Sequence, residues 1–404
     1  MSQSLTHTQL AELANRFGTP LYVYHAEKIK EQYDALQKAF DGTKARFFYA
    51  CKALTNINIL KYIQSLGASI DCVSINEVKL ALHAGFSPDR ILFTPNCVDF
   101  AEIEAGKDLG VNLNIDNISI LEHFGAKYGG SYPICIRFNP HIMGGGNYKI
   151  STGHIDSKFG ISIHQLRHIE RIVKTTGLQV KGIHMHTGSD IKDINVFIAG
   201  LEIMFDVAAH FPELEFIDLG SGFKVPYFED DVRTDVQALG AKVRDAFEQY
   251  AKEHGKELEV WFEPGKYMVS ESGYFIVKAN VVKQTTATVF VGVNSGFNHL
   301  IRPMFYEAYH RIENISNPFG APRIYTVVGH ICETDTFAWD RTLPEVREGD
   351  NLVFFNAGAY GFEMSSNFNS RLKPAEVLVK DGEALLIRKR EVFEDLLRNQ
   401  VEVL

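Results

Sequence analysis

A single lysine closes an apolar run, Arg46-Phe47-Phe48-Tyr49-Ala50-Cys51-Lys52-Ala53, before the chain turns polar at Thr55-Asn56. Aromatic residues suit a pleated surface covered on both faces, so 46–51 reads as a buried strand with Lys52 at its carboxyl end. An amine desolvated there sheds its proton and forms a Schiff base with an aldehyde. The plainer alternative is a snorkelling surface lysine. Gly182-Ile183-His184-Met185-His186-Thr187-Gly188-Ser189 carries two histidines in strand period, hence on one face. They read as a metal pair, as a ring (His186) stacked on a planar cofactor with Ser189 at its phosphate, or as two satisfied core histidines. Asp218-Leu219-Gly220-Ser221-Gly222-Phe223 offers glycines that either let backbone N–H groups approach an anion or simply turn the chain. In Trp261-Phe262-Glu263-Pro264-Gly265-Lys266, Glu263 follows an apolar run and should point inward. A buried carboxylate needs a cation, either a neighbouring lysine or arginine or a protonated ring nitrogen.

These residues need a frame. Apolar runs at 46–51, 69–73, 90–94, 111–115, 133–138, 179–185, 215–219 and 258–263 alternate with helical patterns such as Ile169–Val173 and Leu201–Ala209. Alternating strands and helices imply a parallel sheet, and eight repeats predict a closed (β/α)8 TIM-like barrel with an open doubly wound sheet as the alternative. Lys52, His186, Gly220–Gly222 and Glu263 would then all stand at carboxyl ends of barrel strands. Schiff-base lysine, stacking ring, phosphate loop and acid for a ring nitrogen together describe a site for pyridoxal 5′-phosphate.

After Pro264-Gly265 the pattern changes to strands at 274–282, 287–293, 324–328, 351–356 and the pair 375–379 and 384–387, joined by Lys380-Asp381-Gly382-Glu383. This predicts a second, mainly antiparallel β-domain with a closing helix near 392–399. An N-terminal helix (Leu10, Leu13, Ala14, Phe17) and the strand Leu21–Tyr24 precede the barrel and could complete that domain. The expected boundaries are therefore 27–265 for the barrel and 1–26 plus 266–404 for the β-rich domain. Gly329-His330-Ile331-Cys332-Glu333-Thr334-Asp335 sets a cysteine in a polar loop, where it is either a structural thiol or a proton donor to a carbanion. Arg302 and Tyr306 offer partners for a carboxylate, and Tyr360 presents a hydroxyl on a small-residue turn.

A net charge of -9 leaves no basic footprint for nucleic acid or an anionic membrane. No apolar run is long enough to span a bilayer, and the first residues lack a signal-peptide pattern. Five scattered cysteines without a C-x-x-C pair predict reduced thiols and a cytoplasmic protein.

From Thr19-Pro20-Leu21-Tyr22 to Pro374-Ala375-Glu376-Val377-Leu378, the chain resembles the fold-type III pyridoxal-phosphate decarboxylases. Cys332-Glu333 and Tyr360-Gly361-Phe362-Glu363-Met364-Ser365-Ser366-Asn367-Phe368-Asn369-Ser370-Arg371 resemble the branch acting on diaminopimelate. The resemblance implies that Lys52 bonds the cofactor, with His186, Ser189, Gly220, Ser221, Gly222, Glu263, Gly265, Lys266 and Tyr360 around it. It implies Arg302, Tyr306, Glu333, Arg341, Tyr360 and Lys266 as substrate contacts, Cys332 as catalytic acid and no metal. Ser151-Thr152-Gly153 and Ser157-Lys158-Phe159-Gly160 match the loop after the fifth strand. Two features depart from the family pattern at site positions: Ser221 stands where a third glycine is usual, and Lys266 where arginine is usual; Gly144-Gly145-Gly146 also differs from the usual stretch before the fifth-strand loop and has no assigned role. The implied reaction is decarboxylation of meso-diaminopimelate to L-lysine, in a homodimer whose Cys-Glu loop serves the partner's barrel. Rival expectations are a sister decarboxylase of carboxynorspermidine, ornithine or lysine, a metal-dependent barrel hydrolase, and a non-catalytic cofactor-binding protein.

Overall fold

The computed structural model describes residues 4–142, 153 and 156–404. Gly144–Gly146, Ser151 and Thr152 lie outside the described residues. The chain divides into two compact units, one of residues 32–225 and 232–268, the other of 1–31, 226–231 and 269–404.

The first unit is a closed barrel of eight parallel strands: β1 Ala45–Ala50, β2 Ser69–Cys72, β3 Ile91–Phe93, β4 Asn112–Ile115, β5 Ile134–Asn139, β6 Val180–Met185, β7 Phe216–Asp218 and β8 Glu259–Phe262. The ring closes where β8 pairs with β1 and β4 with β5. All eight strands expected from the apolar runs are present. A two-residue strand, Ile161–Ser162, pairs with β5 outside the ring and carried no periodic signal because it is too short. Phe48, Leu92, Cys135, Phe216 and Trp261 form one buried cluster, with the rings of Phe216 and Trp261 stacked 3.4 Å apart. A Cβ at Gly182 would come within 2.0 Å of the Phe216 ring, so this strand gives up a side chain to let the ring in. Two residues further along each strand the same period brings Thr94, Arg137, His184, Asp218 and Glu263. A dry aromatic layer thus lies directly behind a polar one at the carboxyl ends of the strands.

The second unit is built on a sheet in which Leu21–His25 pairs antiparallel with Gly273–Gln284 and parallel with Ala375–Lys380. The expected hairpin joins Ala375–Lys380 to Glu383–Arg388. Most pairings are antiparallel; the exceptions are Leu21–His25 with Ala375–Lys380, and Val289–Val293 with Pro322–Val328. The helix His7–Phe17 starts at a capping box, in which the Thr6 hydroxyl accepts from Gln9 N–H and Gln9 reaches back to Thr6. It lays Leu10, Leu13 and Ala14 on alternate strand residues Leu21, Val23, Tyr274, Ile276, Ala375, Val377 and Val379. The strand Thr336–Pro344 was not anticipated, because Trp339 and Asp340 face solvent and interrupt its apolar alternation. The closing helix is shorter than expected, Phe393–Leu397. Among the described residues no helix is long and apolar enough to cross a membrane, and all five cysteines are free thiols.

Candidate active site

In the barrel unit, β1 ends in the tight turn Cys51–Ala53, which carries Lys52 past the buried Phe48 and Tyr49. Lys52 Nζ donates to Asp71 Oδ2 at 2.9 Å; the lysine side chain is partly exposed and the aspartate fully buried. Thr94 Oγ1 donates to the other Asp71 oxygen. Gly265 packs behind this turn, where a Cβ would stand 3.0 Å from that of Ala50 and 3.2 Å from that of Ala53. Its small size is therefore needed to seat the lysine turn.

Opposite charges and orphan polar atoms meet in the layer above the aromatic floor. His184, Asp218 and Glu263 are all buried, with one ligand-capable atom of each lying within 4.8 Å of the others. His184 Nδ1 accepts from the Asn114 amide, which leaves its proton on Nε2, 3.6 Å from Glu263 Oε2. His184 Nε2, Asp218 Oδ2 and Glu263 Oε1 are buried without a hydrogen-bond partner. Burial lifts the Glu263 carboxyl well above the usual range, and neighbouring Asp71 and Asp218 add to it. Burial likewise pushes Asp218 up to about 7, against the opposing hydrogen bond from Gly220 N–H. His184 is held well below its ordinary value, and His186 down to about 3, by burial first and then by the Arg137 charge. Arg137, buried in β5 with its guanidinium 4.8 Å from the Phe159 ring centre, is the central cation of this layer.

The glycine loop lies against the histidine loop. Ser221 N–H donates to His186 Nδ1 at 3.2 Å, which fixes the neutral tautomer with the proton on Nε2. Gly220 adopts φ +62° and a Cβ there would stand 2.4 Å from that same nitrogen. Gly222, at φ +105°, leaves 2.2 Å between a built Cβ and Gly188 O. Ser221 has no left-handed φ, so a serine between the two glycines costs no backbone strain. Lys266 Nζ bridges both oxygens of Asp190, at 2.6 and 2.7 Å, with little exposure. Its charge is thus tied to the loop that carries His186 and Ser189.

The β-rich unit gathers a second set. Arg302 is buried; its Nε donates to His310 Nε2 at 3.3 Å and its Nη2 to Tyr227 Oη at 3.2 Å. His310 Nδ1 donates to Phe355 O at 2.8 Å, so His310 is neutral, and burial lowers it to about 3. Tyr306 lies within cation–π range of Arg302, and Arg341 covers the Tyr309 ring at 3.6 Å while donating to His310 O. Cys332 and Glu333 are exposed in the loop 329–335, whose shape is set by the buried Asp335. That carboxylate accepts from Phe297 N–H at 2.7 Å and Ile331 N–H at 3.1 Å. Tyr360 is half-buried at φ +55° on the turn after Asn351–Phe354.

Sequence reasoning missed Arg137, Asp71, Asp190, Tyr227, His310 and Asp335 as parts of these sets. Arg137 and Asp71 carried a usable signal, since each is a lone charge inside a strand otherwise fully buried. The ligand set for a hydrolase-type metal site, not evident in the sequence, exists here as His184, Asp218 and Glu263.

The raised Asp218 carboxyl has a stability consequence. The unfolded chain releases that proton near pH 4 and the folded cofactor-free barrel near 7, so the stabilisation present below pH 4 is lost as pH rises to about 7. An asparagine at this position would keep the acceptor for Gly220 N–H without the charge. The urea midpoint of cofactor-free Asp218→Asn should exceed wild type by a margin that grows between pH 4 and pH 8. A margin independent of pH would contradict the burial argument.

A family model described as pyridoxal-dependent decarboxylase, pyridoxal binding domain, matches residues 26–270. A diaminopimelate decarboxylase of Methanothermobacter thermautotrophicus is 40% identical over 399 residues, 96% of this chain and 93% of that protein. A crystal structure of diaminopimelate decarboxylase superposes with a TM-score of 0.90 at 35% identity, covering 98% of this chain and 96% of that one. The Helicobacter pylori diaminopimelate decarboxylase, crystallised with L-lysine, gives 0.87 at 33% identity over 96% and 98% of the two chains.

Proposed function

The chain belongs to the pyridoxal-dependent decarboxylases, among the diaminopimelate decarboxylases, and from that premise we propose that it decarboxylates meso-diaminopimelate to L-lysine with pyridoxal phosphate. The chemistry is carried by one observation: a lysine at a barrel-strand end stands within electrostatic reach of a buried carboxyl, Glu263, whose Oε1 has no hydrogen-bond partner. The substrate assignment rests on likeness to diaminopimelate decarboxylases over nearly the whole chain.

The residues present fit the cofactor. Lys52 supplies the amine that tethers its aldehyde. The orphan Glu263 oxygen suits a protonated ring nitrogen, and the neutral, tautomer-locked His186 suits the face of a ring. The backbone at Gly220 and Gly222 approaches neighbouring loops too closely for any side chain, which supports Gly220–Gly222 and Ser189 as phosphate holders. When bound, the cofactor supplies an electron sink for the carbon that loses carbon dioxide. Glu263 would hold the proton at the ring nitrogen, and Asp71 holds the Lys52 amine in place. Lys266, neutralised by Asp190, supports the phosphate loop rather than acting as a free cation. Arg302, aimed by His310 and Tyr227, takes a substrate carboxylate together with Tyr306 and Arg341, and Glu333 reads the distal amine. Cys332 delivers a proton to the carbon after carbon dioxide leaves, its thiol then refilling from solvent. We further propose a cytoplasmic homodimer in which Cys332, Glu333 and Tyr360 of one copy serve the barrel of the other.

Carbon dioxide release from the purified, cofactor-loaded protein should be measured with meso-diaminopimelate, L-ornithine and carboxynorspermidine, alongside a visible absorbance scan. Preference for meso-diaminopimelate by about 100-fold or more in kcat/KM is expected, because a substrate without a second carboxylate leaves the buried Arg302 without its partner. Equal or better turnover of either alternative would move the chain to a sister activity. Absence of a cofactor band would sink the cofactor assignment.

A further inference from the structure

We infer that Asn369 is the positioning residue of the Cys332 thiol, an inference that rests on the reading of Cys332 as the proton donor. Its side chain grips the cysteine at two points. Cys332 N–H donates to Asn369 Oδ1 at 3.0 Å, and Asn369 Nδ2 donates to Cys332 Sγ at 3.2 Å. A primary amide carries an acceptor oxygen and a donor nitrogen on one planar group, so it can accept from the backbone and donate to the sulfur of the same residue. The amide is presented by a tight turn in which Asn369 sits at φ +56° and Ser370 at φ +55°, two successive left-handed residues. The turn is anchored independently of the cysteine. Phe368 stacks on Phe297 with ring centres 5.5 Å apart, and Phe297 N–H donates to Asp335, which shapes the cysteine loop.

An exposed thiol on a loop otherwise samples several rotamers, and only one directs its proton at a given carbon face. In the transfer the S–H bond breaks as the new C–H bond forms, and solvent returns the proton to sulfur. The donated N–H leaves the thiol proton free for that transfer, because it engages a sulfur lone pair. Asn369 therefore governs both the rate and the facial selectivity of protonation.

The test uses the cofactor-loaded enzyme and meso-diaminopimelate in four variants: Asn369→Asp, Asn369→Gly, Cys332→Ala and Cys332→Ala/Asn369→Asp. Aspartate keeps the acceptor and the left-handed backbone but loses the donor; glycine keeps the backbone and loses both contacts. We expect kcat to fall roughly tenfold to a hundredfold in both Asn369 variants. KM should stay within about twofold and the cofactor absorbance should be unchanged. Lysine formed in D2O should carry deuterium in one configuration from wild type and in mixed configuration from the variants. Asn369→Asp should add nothing to Cys332→Ala, since it acts through the sulfur. An additive loss, or unchanged kcat and configuration in an enzyme that Cys332→Ala inactivates, would overturn the role of Asn369. Full turnover by Cys332→Ala would instead remove Cys332 from the reaction, and with it the ground of the inference.

Discussion

Lys52→Ala should turn over meso-diaminopimelate more than about 10³-fold more slowly than wild type, the scale of loss when a covalent-bonding residue is deleted. The variant should also purify without the visible band of tethered cofactor, because the amine that bonds the aldehyde is gone. A second effect separates chemistry from structure. Asp71 is fully buried and receives Lys52 and Thr94 as its donors. Removing the lysine leaves a buried carboxylate short of a partner, at a cost of about 1–3 kcal/mol to the cofactor-free protein. Lys52→Ala/Asp71→Asn should recover much of that stability and none of the activity. Urea titration beside a carbon dioxide assay checks both halves. Recovery of turnover by the double variant would show that Lys52 serves Asp71 rather than the cofactor.

Glu263→Gln is expected to lower kcat on the order of 10²–10³-fold, typical of removing one preorganised charge opposite a developing one. Stability should move the other way. The Glu263 carboxyl is raised well above its usual range by burial and by Asp71 and Asp218, so ionising it in the cofactor-free barrel is unfavourable. A raised acid contributes stability at low pH that is lost as pH climbs through its folded value. Glutamine keeps the shape without that loss, and the variant should unfold at higher urea than wild type at pH 8. At pH 4 the two midpoints should converge. A destabilised variant at pH 8 would mean that the carboxylate is ionised and paired in the cofactor-free protein, and the argument from burial would fail. Catalysis and stability are in conflict at this position, as expected where a fold buries an acid whose charge only a bound ligand would balance.

The eight barrel strands were legible because short apolar runs recur between helical patterns, a local signal that needs no knowledge of the partner strand. Placing Lys52, His186, Gly220 and Glu263 at strand ends needed only that same reading. The Leu21–His25 strand was legible as a strand, yet its partners lie roughly 250 and 350 residues away along the chain. The ordinary φ of Ser221 explains why a serine is tolerated between two glycines, which the bare sequence left as a departure from the family pattern.

What the sequence determined by itself was therefore periodic and local: which residues form strands, which face they share, and which chemical groups end each strand. Which group meets which was decided by tertiary structure. Asp71 reaches Lys52 because β2 lies beside β1 in the closed ring, and Asp190 claims Lys266 across two strand-end loops. His310 aims Arg302, and Asn369 holds Cys332, through contacts between separate loops and turns. The physical reason is that spacing along one strand encodes direction alone. Partners depend on closing long loops and on the register between strands, and those follow from packing the whole core.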